Sequence, residues 1–311
     1  MTRMLLDCDP GIDDAMAIIF ALKSDSVEME GITTVSGNIG IDLATDNALR
    51  ILELTGNEHI PVAKGIAGPL INRFEATSGV HGRDGMGNTN LPPPKIKEQP
   101  VHAVNFIINT IMNAPNEITL VSVGPLTNIA VALTLEPRII ENVKETIIMG
   151  GAVTVAGNIT CEAEFNVHSD PESARIVFNS GLPITLVGLD VTMKTLLKEE
   201  HLNQILEADT PVTRFLEKIV KHYMRFYKEI VNVNGCGLHD PLAVGVAIDR
   251  TLVRTRAIFV DVETKGEITY GETVGDLRLG SEGGRRPPNM NVCVDVDSTR
   301  FIDMFINTLK Y

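Results

Sequence analysis

The sequence predicts an α/β fold with a mostly parallel central sheet flanked by helices, open and doubly wound, with extra helices in the C-terminal half. Short β-rich runs alternate with stretches of helical periodicity through the first half of the chain. Glycine and proline stand at the breaks between them, as at Gly56 and at Gly124-Pro125. This β-turn-α rhythm is typical of parallel strands whose two faces are both covered by helices.

Each element is assigned from its own pattern, with boundaries at the turn residues. The predicted strands are Met4–Asp7, Met29–Val35, Ile118–Val123, Thr146–Met149, Pro183–Val187 and Asn291–Val296. The predicted helices are Asp13–Leu22, Asp42–Leu54, Leu126–Leu135, Asp240–Ile248 and two back-to-back helices within Glu199–Ile230. Ala257–Val262 and Ile268–Tyr270 are predicted to form a hairpin around Lys265-Gly266. No repeat or low-complexity linker divides the chain, so we expect a single domain over residues 1–311.

The composition disfavours partners such as nucleic acids and membranes. The 311 residues carry 40 acidic and 27 basic side chains, whereas sequence-independent binding to nucleic acid needs Lys and Arg to neutralise phosphates. There is no Trp, which leaves few platforms for base stacking. No apolar run reaches the ~18 residues that a transmembrane helix needs. Four scattered cysteines without a CxxC pair favour reduced thiols and a cytoplasmic location.

Four carboxylates lie within eight residues where the first predicted strand gives way to a helix. In an extended chain Asp7 and Asp9 point to the same face, and Asp13 and Asp14 fall in the first helical turn, where the helix dipole favours negative charge. So many neighbouring carboxylates are costly unless a cation neutralises them. Ligands that are all oxygen indicate a hard cation, Ca²⁺ or Mg²⁺. The spacing alone leaves open which of Asp13 and Asp14 faces that ion.

Two other interpretations of this segment are weaker. A solvated acidic cap at the helix start would not require Asp7 and Asp9, which stand on the strand side. A phosphate-binding loop is not indicated, because the segment lacks both GxGxxG and GxxxxGK[ST].

Leu238-His239-Asp240-Pro241, over 220 residues downstream, is the second candidate. On its own, such a pair is more often a capping aspartate beside a packed histidine. Together with the acidic cluster, the His239-Asp240 pair indicates a functional site, because Asp240 at a helix N-terminus would be available to the same cation. His239 could then donate a proton, since histidine titrates near physiological pH.

The segment Asp7-Cys8-Asp9-Pro10-Gly11-Ile12-Asp13-Asp14-Ala15 resembles the N-terminal signature of the inosine-uridine-preferring nucleoside hydrolase family. Further segments resemble that family in the same order along nearly the whole chain: Thr34-Val35-Ser36-Gly37-Asn38, His81-Gly82, Gly124-Pro125-Leu126-Thr127-Asn128, Met149-Gly150-Gly151, Ala163-Glu164-Phe165-Asn166 and His239-Asp240-Pro241. The resemblance implies a nucleoside hydrolase fold and hydrolysis of the N-glycosidic bond of a ribonucleoside to ribose and free base. It also implies a small-molecule substrate, nucleoside salvage, and assembly as a homotetramer or homodimer.

The resemblance further implies a Ca²⁺ ion as cofactor. Its ligands would be the carboxylates of Asp9, Asp14 and Asp240 and the backbone carbonyl of Val123, with water and ribose hydroxyls completing the 6–8 oxygens that Ca²⁺ takes. Asp9 would be the general base toward the attacking water. Asp7 would orient the loop without touching the ion.

Other matched positions would bind the substrate. By resemblance the residues that hold the ribose hydroxyls are Asp13, Asn38, Asn158, Glu164 and Asn166, and the apolar walls are Met149 and Phe165. His239 is the leading proton donor to the leaving base, and it is the second catalytic residue beside Asp9.

The base would be contacted by residues from variable segments. His81 lies in a loop with glycines at 79, 82, 85 and 87 that could close over the base. Tyr227 or Tyr223, on the helix before His239, could stack on the base or bind it through a hydrogen bond. His81 together with His239 favours a pyrimidine or mixed uridine/inosine preference.

Two alternatives remain at the level of sequence. A metal-dependent phosphatase could use Asp7-x-Asp9, although no Lys or Arg stands within the motif to hold phosphate. A non-catalytic nucleoside-binding protein could share the pocket, although the presence of both Asp9 and His239 argues for catalysis.

Overall fold

Eight of the strands form one central sheet. The computed structural model describes residues 1–73, 79–278 and 286–310. The strands in these ranges are β1 (Thr2–Cys8), β2 (Val27–Thr34), β3 (Val62–Lys64), β4 (Ile118–Ser122), β5 (Glu145–Met149), β6 (Ile184–Val187), β7 (Leu196–Leu197), β8 (Cys236–Gly237), β9 (Val253–Ile258), β10 (Val260–Val262), β11 (Thr273–Gly275) and β12 (Met290–Val296). The central sheet has the order β3-β2-β1-β4-β5-β6-β12-β9.

Helices connect most of the strands. The α-helices are α1 (Ile12–Lys23), α2 (Ile41–Thr55), α3 (Ala103–Asn113), α4 (Thr127–Leu135), α5 (Ile139–Asn142), α6 (Phe165–Ser169), α7 (Pro171–Phe178), α8 (Leu189–Thr192), α9 (Glu199–Leu206), α10 (Pro211–Phe226), α11 (His239–Ile248) and α12 (Ser298–Lys310). A π-helical turn, Tyr227–Val231, extends α10, and a short 3₁₀ turn, Arg250–Leu252, follows α11.

The sheet is parallel throughout except at β9, which pairs antiparallel with β12. The predicted doubly wound α/β fold, with its extra C-terminal helices, is therefore confirmed. The strand order reverses between β1 and β4, and in open α/β sheets ligands bind beyond the carboxyl ends of the strands at such a switch point. The acidic segment that follows β1 stands at this point.

Apolar layers cover both faces of the sheet. On one face α1 packs against α11 and α12, and the ring of Phe20 contacts those of Phe301 and Phe305 in edge-to-face geometry. On the other face α4 packs between α3 and α7. All five residues of β4 are buried, as expected for a strand covered on both sides. The first and last strands, β1 and β12, belong to one sheet. This is consistent with a single domain over residues 1–311, which stays a prediction.

The predicted hairpin near the C-terminus is wrong in its second strand. Residues Ile268–Tyr270 form a turn, and the strand that pairs antiparallel with β10 is β11, three residues further on. Ile268 is 76% exposed, so it does not pack in the core as a strand residue of this pattern would. The predicted first strand, Ala257–Val262, is also divided, because β9 joins the central sheet while β10 leaves it for β11.

None of the described helices combines the length and the apolar character needed to cross a bilayer.

Candidate active site

A cavity of about 670 Å³ lies beyond the carboxyl ends of β1, β4 and β5. Most of the residues predicted from the sequence line it: Asp13, Asn38, His81, Val123, Met149, Asn158, Glu164, Phe165, Asn166, Tyr227, His239 and Asp240. Tyr223 lines it as well. Asp9 and Asp14 do not line the cavity, although Asp14 contacts the lining residue Asn38.

The cavity floor brings together carboxylates from distant parts of the chain. Asp13 and Asp14 come from the first turn of α1, and Asp240 comes from the first turn of α11. One carboxylate oxygen from each of the three lies within 4.8 Å of the others, and all three residues are buried. Because α1 and α11 pack side by side, two helix N-termini meet at one point of the cavity.

Asp14 is held firmly by its own loop. Its carboxylate accepts hydrogen bonds from the backbone N–H groups of Asp9 (3.0 Å) and Gly11 (2.9 Å), and from Nδ2 of Asn38 (3.0 Å). These bonds satisfy donors at the start of α1, which has glycine rather than a side-chain cap at Gly11. The structure therefore fixes the direction of Asp14 before any ligand is bound.

Asp9 is not one of those three but neighbours them, since its N–H donates to Asp14, and its carboxylate lies between two glycine backbones. Its Oδ2 accepts a hydrogen bond from the backbone N–H of Asn38 (2.5 Å). A Cβ atom at Gly37 would lie 2.1 Å from Oδ2, and one at Gly124 would lie 2.7 Å from Oδ1. Any side chain at Gly37 would displace this carboxylate, which is why the loop after β2 needs glycine there.

The cluster contains oxygens that no protein group satisfies. Among the described residues, Oδ1 of Asp9 and Oδ1 of Asp13 are buried and have no hydrogen-bond partner. Burial raises the pKa of Asp13 and of Asp14 to about 6, and for Asp14 the charge of Asp13 adds to the effect. Burial, followed by the neighbouring carboxylates, raises the pKa of Asp9 and of Asp240 well above the usual value.

These observations fit an oxygen-ligated cation. Buried, unsatisfied carboxylate oxygens are costly, and a divalent cation relieves both the desolvation and the mutual repulsion. The basic side chain that the described residues bring within 4.0 Å of this cluster is His81, at 3.9 Å from Asp13, and it offers a charge only when protonated. The donors are all hard oxygens, as Ca²⁺ and Mg²⁺ require.

A second polar group lies on the side of β5 and α6. The carboxylate of Glu164 accepts hydrogen bonds from the N–H groups of Gly151 (2.8 Å), Asn166 (2.8 Å) and Val167 (3.1 Å), and so caps α6. Nδ2 of Asn166 donates to the carbonyl of Val123 (2.8 Å), which ties α6 to the end of β4. Burial raises the pKa of Glu164, and the three hydrogen bonds from backbone N–H groups oppose this rise by stabilising the carboxylate. They explain how a buried glutamate is tolerated.

Two more predicted residues stand near this group. Oδ1 of Asn158 accepts a hydrogen bond from the N–H of Phe165 at 2.9 Å, so the loop before α6 folds back on the helix. Met149 is buried at the end of β5, and its carbonyl accepts from Nδ2 of Asn166 at 3.2 Å.

Histidines and tyrosines form the opposite wall. Nδ1 of His81 accepts a hydrogen bond from the N–H of Ile12 (3.0 Å), which leaves Nε2 to carry the proton of the neutral ring. Burial lowers the pKa of His81 to about 4. Its ring lies against that of Tyr223, and the Tyr223 hydroxyl donates to Oδ2 of Asp13 at 3.4 Å. His81 is thus part of the folded cavity wall and is 6% exposed.

His239 is bonded at both ring nitrogens. Oη of Tyr227 lies 2.6 Å from Nε2, and Oγ1 of Thr192 lies 2.8 Å from Nδ1. Burial lowers the pKa of His239 to about 4, with a smaller contribution from His81. Tyr223 and Tyr227 therefore have different partners, Asp13 for the first and His239 for the second.

Two residues of α8 that the sequence analysis did not single out also belong to this region. Asp190 lines the cavity and accepts hydrogen bonds from the backbone of Val153 and Thr154, and Thr192 contacts His239. Both follow β6 directly. The position of Asp190 beyond the predicted strand Pro183–Val187 is a sequence signal for a site residue, because ligands bind beyond strand ends. Thr192 carries no such signal, since it does not line the cavity and acts only through its contact with His239.

Comparisons with known proteins agree with this geometry. A family model described as inosine-uridine preferring nucleoside hydrolase matches residues 4–303. The chain is 39% identical over 312 residues to the inosine-uridine preferring nucleoside hydrolase of Crithidia fasciculata, covering 99% of this chain and 97% of that one. It is also 39% identical over 312 residues to the pyrimidine-specific ribonucleoside hydrolase RihA of Shewanella woodyi, covering 100% of this chain and 99% of that one. A solved structure of the purine-preferring ribonucleoside hydrolase from Gardnerella vaginalis has a TM-score of 0.94 at 37% identity and covers 99% of this chain and 98% of that chain.

Proposed function

The chain belongs to the inosine-uridine preferring nucleoside hydrolase family and is a ribonucleoside hydrolase, and from this premise we propose a calcium-dependent mechanism with direct attack of water on the N-glycosidic bond. The products are ribose and the free base. The observation that carries the proposal is the meeting of Asp13, Asp14 and Asp240 at the floor of the cavity, beside the unsatisfied oxygen of Asp9.

The proposed calcium ligands are Asp9, Asp14, Asp240 and the carbonyl of Val123. Asp13 also lies close to Asp14 and Asp240. Because it lines the cavity and accepts a hydrogen bond from the Tyr223 hydroxyl, we assign it to the substrate rather than to the ion. Asp9 lies behind the lining and has a buried oxygen without a hydrogen bond, which suits a ligand. When bound there, Ca²⁺ would lower the pKa of the attacking water and grip ribose hydroxyls.

Asp9 is the proposed general base. The hydrogen bond from Asn38 to Oδ2 fixes the carboxylate. Oδ1 has no hydrogen-bond partner, so one of its two lone pairs can face the ion while the other accepts a proton from water. The departure of the base builds positive charge on the ribosyl ring, as in other glycoside hydrolyses. The buried carboxylates of this floor would stabilise that charge, because the surrounding protein screens it weakly.

The proposed ribose site is formed by polar side chains around the rim of this floor. It comprises Asp13, Asn38, Asn158, Glu164 and Asn166, with Met149 and Phe165 as apolar walls. The amides of Asn38 and Asn166 are held by bonds to Asp14 and Val123, so they stand ready before substrate arrives.

His239 is the proposed proton donor to the leaving base, and Tyr227 would share that end of the cavity. Burial lowers the pKa of His239 to about 4, so the neutral ring predominates near pH 7 and the small protonated fraction is a strong acid toward the leaving base. Negative charge that develops on the base draws the proton across as the bond breaks.

Replacing His239 by alanine tests this role through the leaving group. We expect kcat/KM for uridine and inosine to fall by about 10²-fold, the scale of a lost general acid. An activated substrate, p-nitrophenyl riboside, needs no proton and should lose less than about threefold. The exposed His59→Ala variant is the matched control. Equal losses on both kinds of substrate would remove His239 as the donor.

A pyrimidine or mixed uridine/inosine preference is part of the proposal. Its support is the pair of buried histidines, His81 and His239, on the wall of one cavity. Release of reducing sugar from a panel of uridine, cytidine, inosine, guanosine and adenosine tests it. We expect kcat/KM for uridine to equal or exceed that for inosine, and both to exceed adenosine by about tenfold or more. Selective use of purines would contradict the preference without contradicting the hydrolase activity.

The cytoplasmic location and the homotetrameric or homodimeric assembly are further parts of the proposal and rest on the family resemblance.

A further inference from the structure

Thr192 ends α8 and is completely buried. Its backbone is fully engaged, because its N–H donates to the carbonyl of Gly188 (3.1 Å) and its own carbonyl accepts from the N–H and the hydroxyl of Thr195 (3.1 and 2.9 Å). The side-chain hydroxyl is left to contact Nδ1 of His239 at 2.8 Å. A β-branched side chain has restricted rotation, so this hydroxyl is a rigid contact.

The two ring nitrogens of His239 face different surroundings. Tyr227, which contacts Nε2, lines the cavity, whereas Thr192, which contacts Nδ1, does not. The Nε2 edge is therefore turned toward the cavity and the Nδ1 edge toward the protein. Rotation about the bond to the ring is soft for histidine, with two orientations of similar energy, so something must select one of them.

The segment that carries Thr192 is itself anchored. The carboxylate of Asp190, two residues earlier on α8, accepts hydrogen bonds from the N–H groups of Val153 (3.0 Å) and Thr154 (2.8 Å) and from the Thr154 hydroxyl (2.5 Å). The position of Thr192 is thus determined by the loop after β5 as well as by β6.

We propose that Thr192 is a positioning residue that holds the imidazole of His239 with Nε2 toward the leaving base. The inference rests on the proposed role of His239. While the proton on Nε2 passes to the base, Nδ1 keeps its own proton and donates a hydrogen bond to Oγ1 of Thr192, 2.8 Å away. Loss of the hydroxyl removes one of the two contacts that fix the ring, leaving only Tyr227 at Nε2, and leaves a buried N–H without a partner.

Thr192→Val, which removes the hydroxyl and keeps the shape, tests the proposal. We expect kcat for uridine and inosine to fall about tenfold, with KM within about twofold, because ribose binding does not involve this contact. The loss on p-nitrophenyl riboside should stay below about twofold. Thr192→Ser, which keeps the hydroxyl, should recover kcat to within about threefold. The matched control is Thr146→Val, since Thr146 is buried and its hydroxyl has no partner among the described residues.

A double variant separates this inference from the function on which it rests. In the His239→Ala background, Thr192→Val should have no further effect on kcat, since the ring that it positions is gone. If His239→Ala shows the expected dependence on leaving group but Thr192→Val does not, the positioning role is wrong and the proton donor stands. If His239→Ala itself lacks that dependence, the proposed proton-donor role of His239 is wrong, and the positioning role of Thr192 loses its basis. If Thr192→Val does not fold, Thr192→Ser is compared with wild type on both kinds of substrate. A loss of kcat on nucleosides that exceeds the loss on p-nitrophenyl riboside by more than about threefold would contradict the proposal.

Discussion

Replacement of Asp9 by asparagine is expected to lower kcat for uridine and inosine by about 10³-fold while the protein stays folded. General-base catalysis is worth about 10²–10⁴-fold, and the same change removes a negative charge from the proposed calcium site. Asparagine has nearly the same volume and keeps an oxygen to accept the N–H of Asn38, which now bonds Oδ2 of Asp9. Steady-state kinetics with both nucleosides, beside a thermal melt, make the measurement.

The charge rather than the fold should account for this loss. Burial and the neighbouring Asp14 raise the pKa of Asp9, so a neutral side chain costs the metal-free protein nothing in repulsion. We therefore expect the melting temperature of the metal-free variant to equal or exceed that of the wild type. Asp25→Asn, at an exposed carboxylate, is the matched control. Turnover within about tenfold of wild type would show that another group activates the water.

Removal of divalent cations by a chelator is expected to abolish turnover, and added Ca²⁺ to restore it. A ligand at 100 times its Kd stabilises the folded state by about 2.7 kcal/mol. For a chain of this size that corresponds to a rise in Tm of about 4 °C. Differential scanning calorimetry of the chelated protein, with and without Ca²⁺, measures the shift, and the same titration with Mg²⁺ compares the two hard cations.

Asp240→Asn connects this shift to the carboxylates of the cavity floor. Asp240 lies with Asp13 and Asp14 in the group whose oxygens approach within 4.8 Å. Its replacement should remove most of the calcium-dependent rise in Tm, whereas Glu58→Gln, at an exposed carboxylate, should leave it unchanged. Full activity in the chelated wild-type protein, or an unchanged rise in Asp240→Asn, would refute the proposed ion site.

The sequence predicted the framework well because its signals are local. Apolar runs, helical periodicity and the glycines between them identified β1, α1, β2, α2, β4 and β5 to within about two residues, since each of these signals lies within the segment itself. The helices α3, α7 and α12 and the short strand β3 were not predicted. The hairpin was misplaced because 273–275 is held by residues distant in sequence: the N–H of Ala152 donates to Oγ1 of Thr273, and Glu272 forms a β-bridge with Ala163.

The site divides in the same way. Asp9, Asp13 and Asp14 were found together because one turn after one strand carries them all. Thr192 was missed because an isolated threonine after a strand carries no signal until His239 is placed beside it.

By itself, the sequence determined the fold class and the acidic segment after β1, together with the motifs that identify the family. Only the tertiary structure decided that Asp240 joins Asp13 and Asp14, that Asp9 is fixed by Asn38, and that His239 lies between Tyr227 and Thr192. The reason is physical. Periodicity and turn chemistry act over a few residues, whereas the position of a buried side chain is set by the packing of helices and strand ends that are distant in sequence.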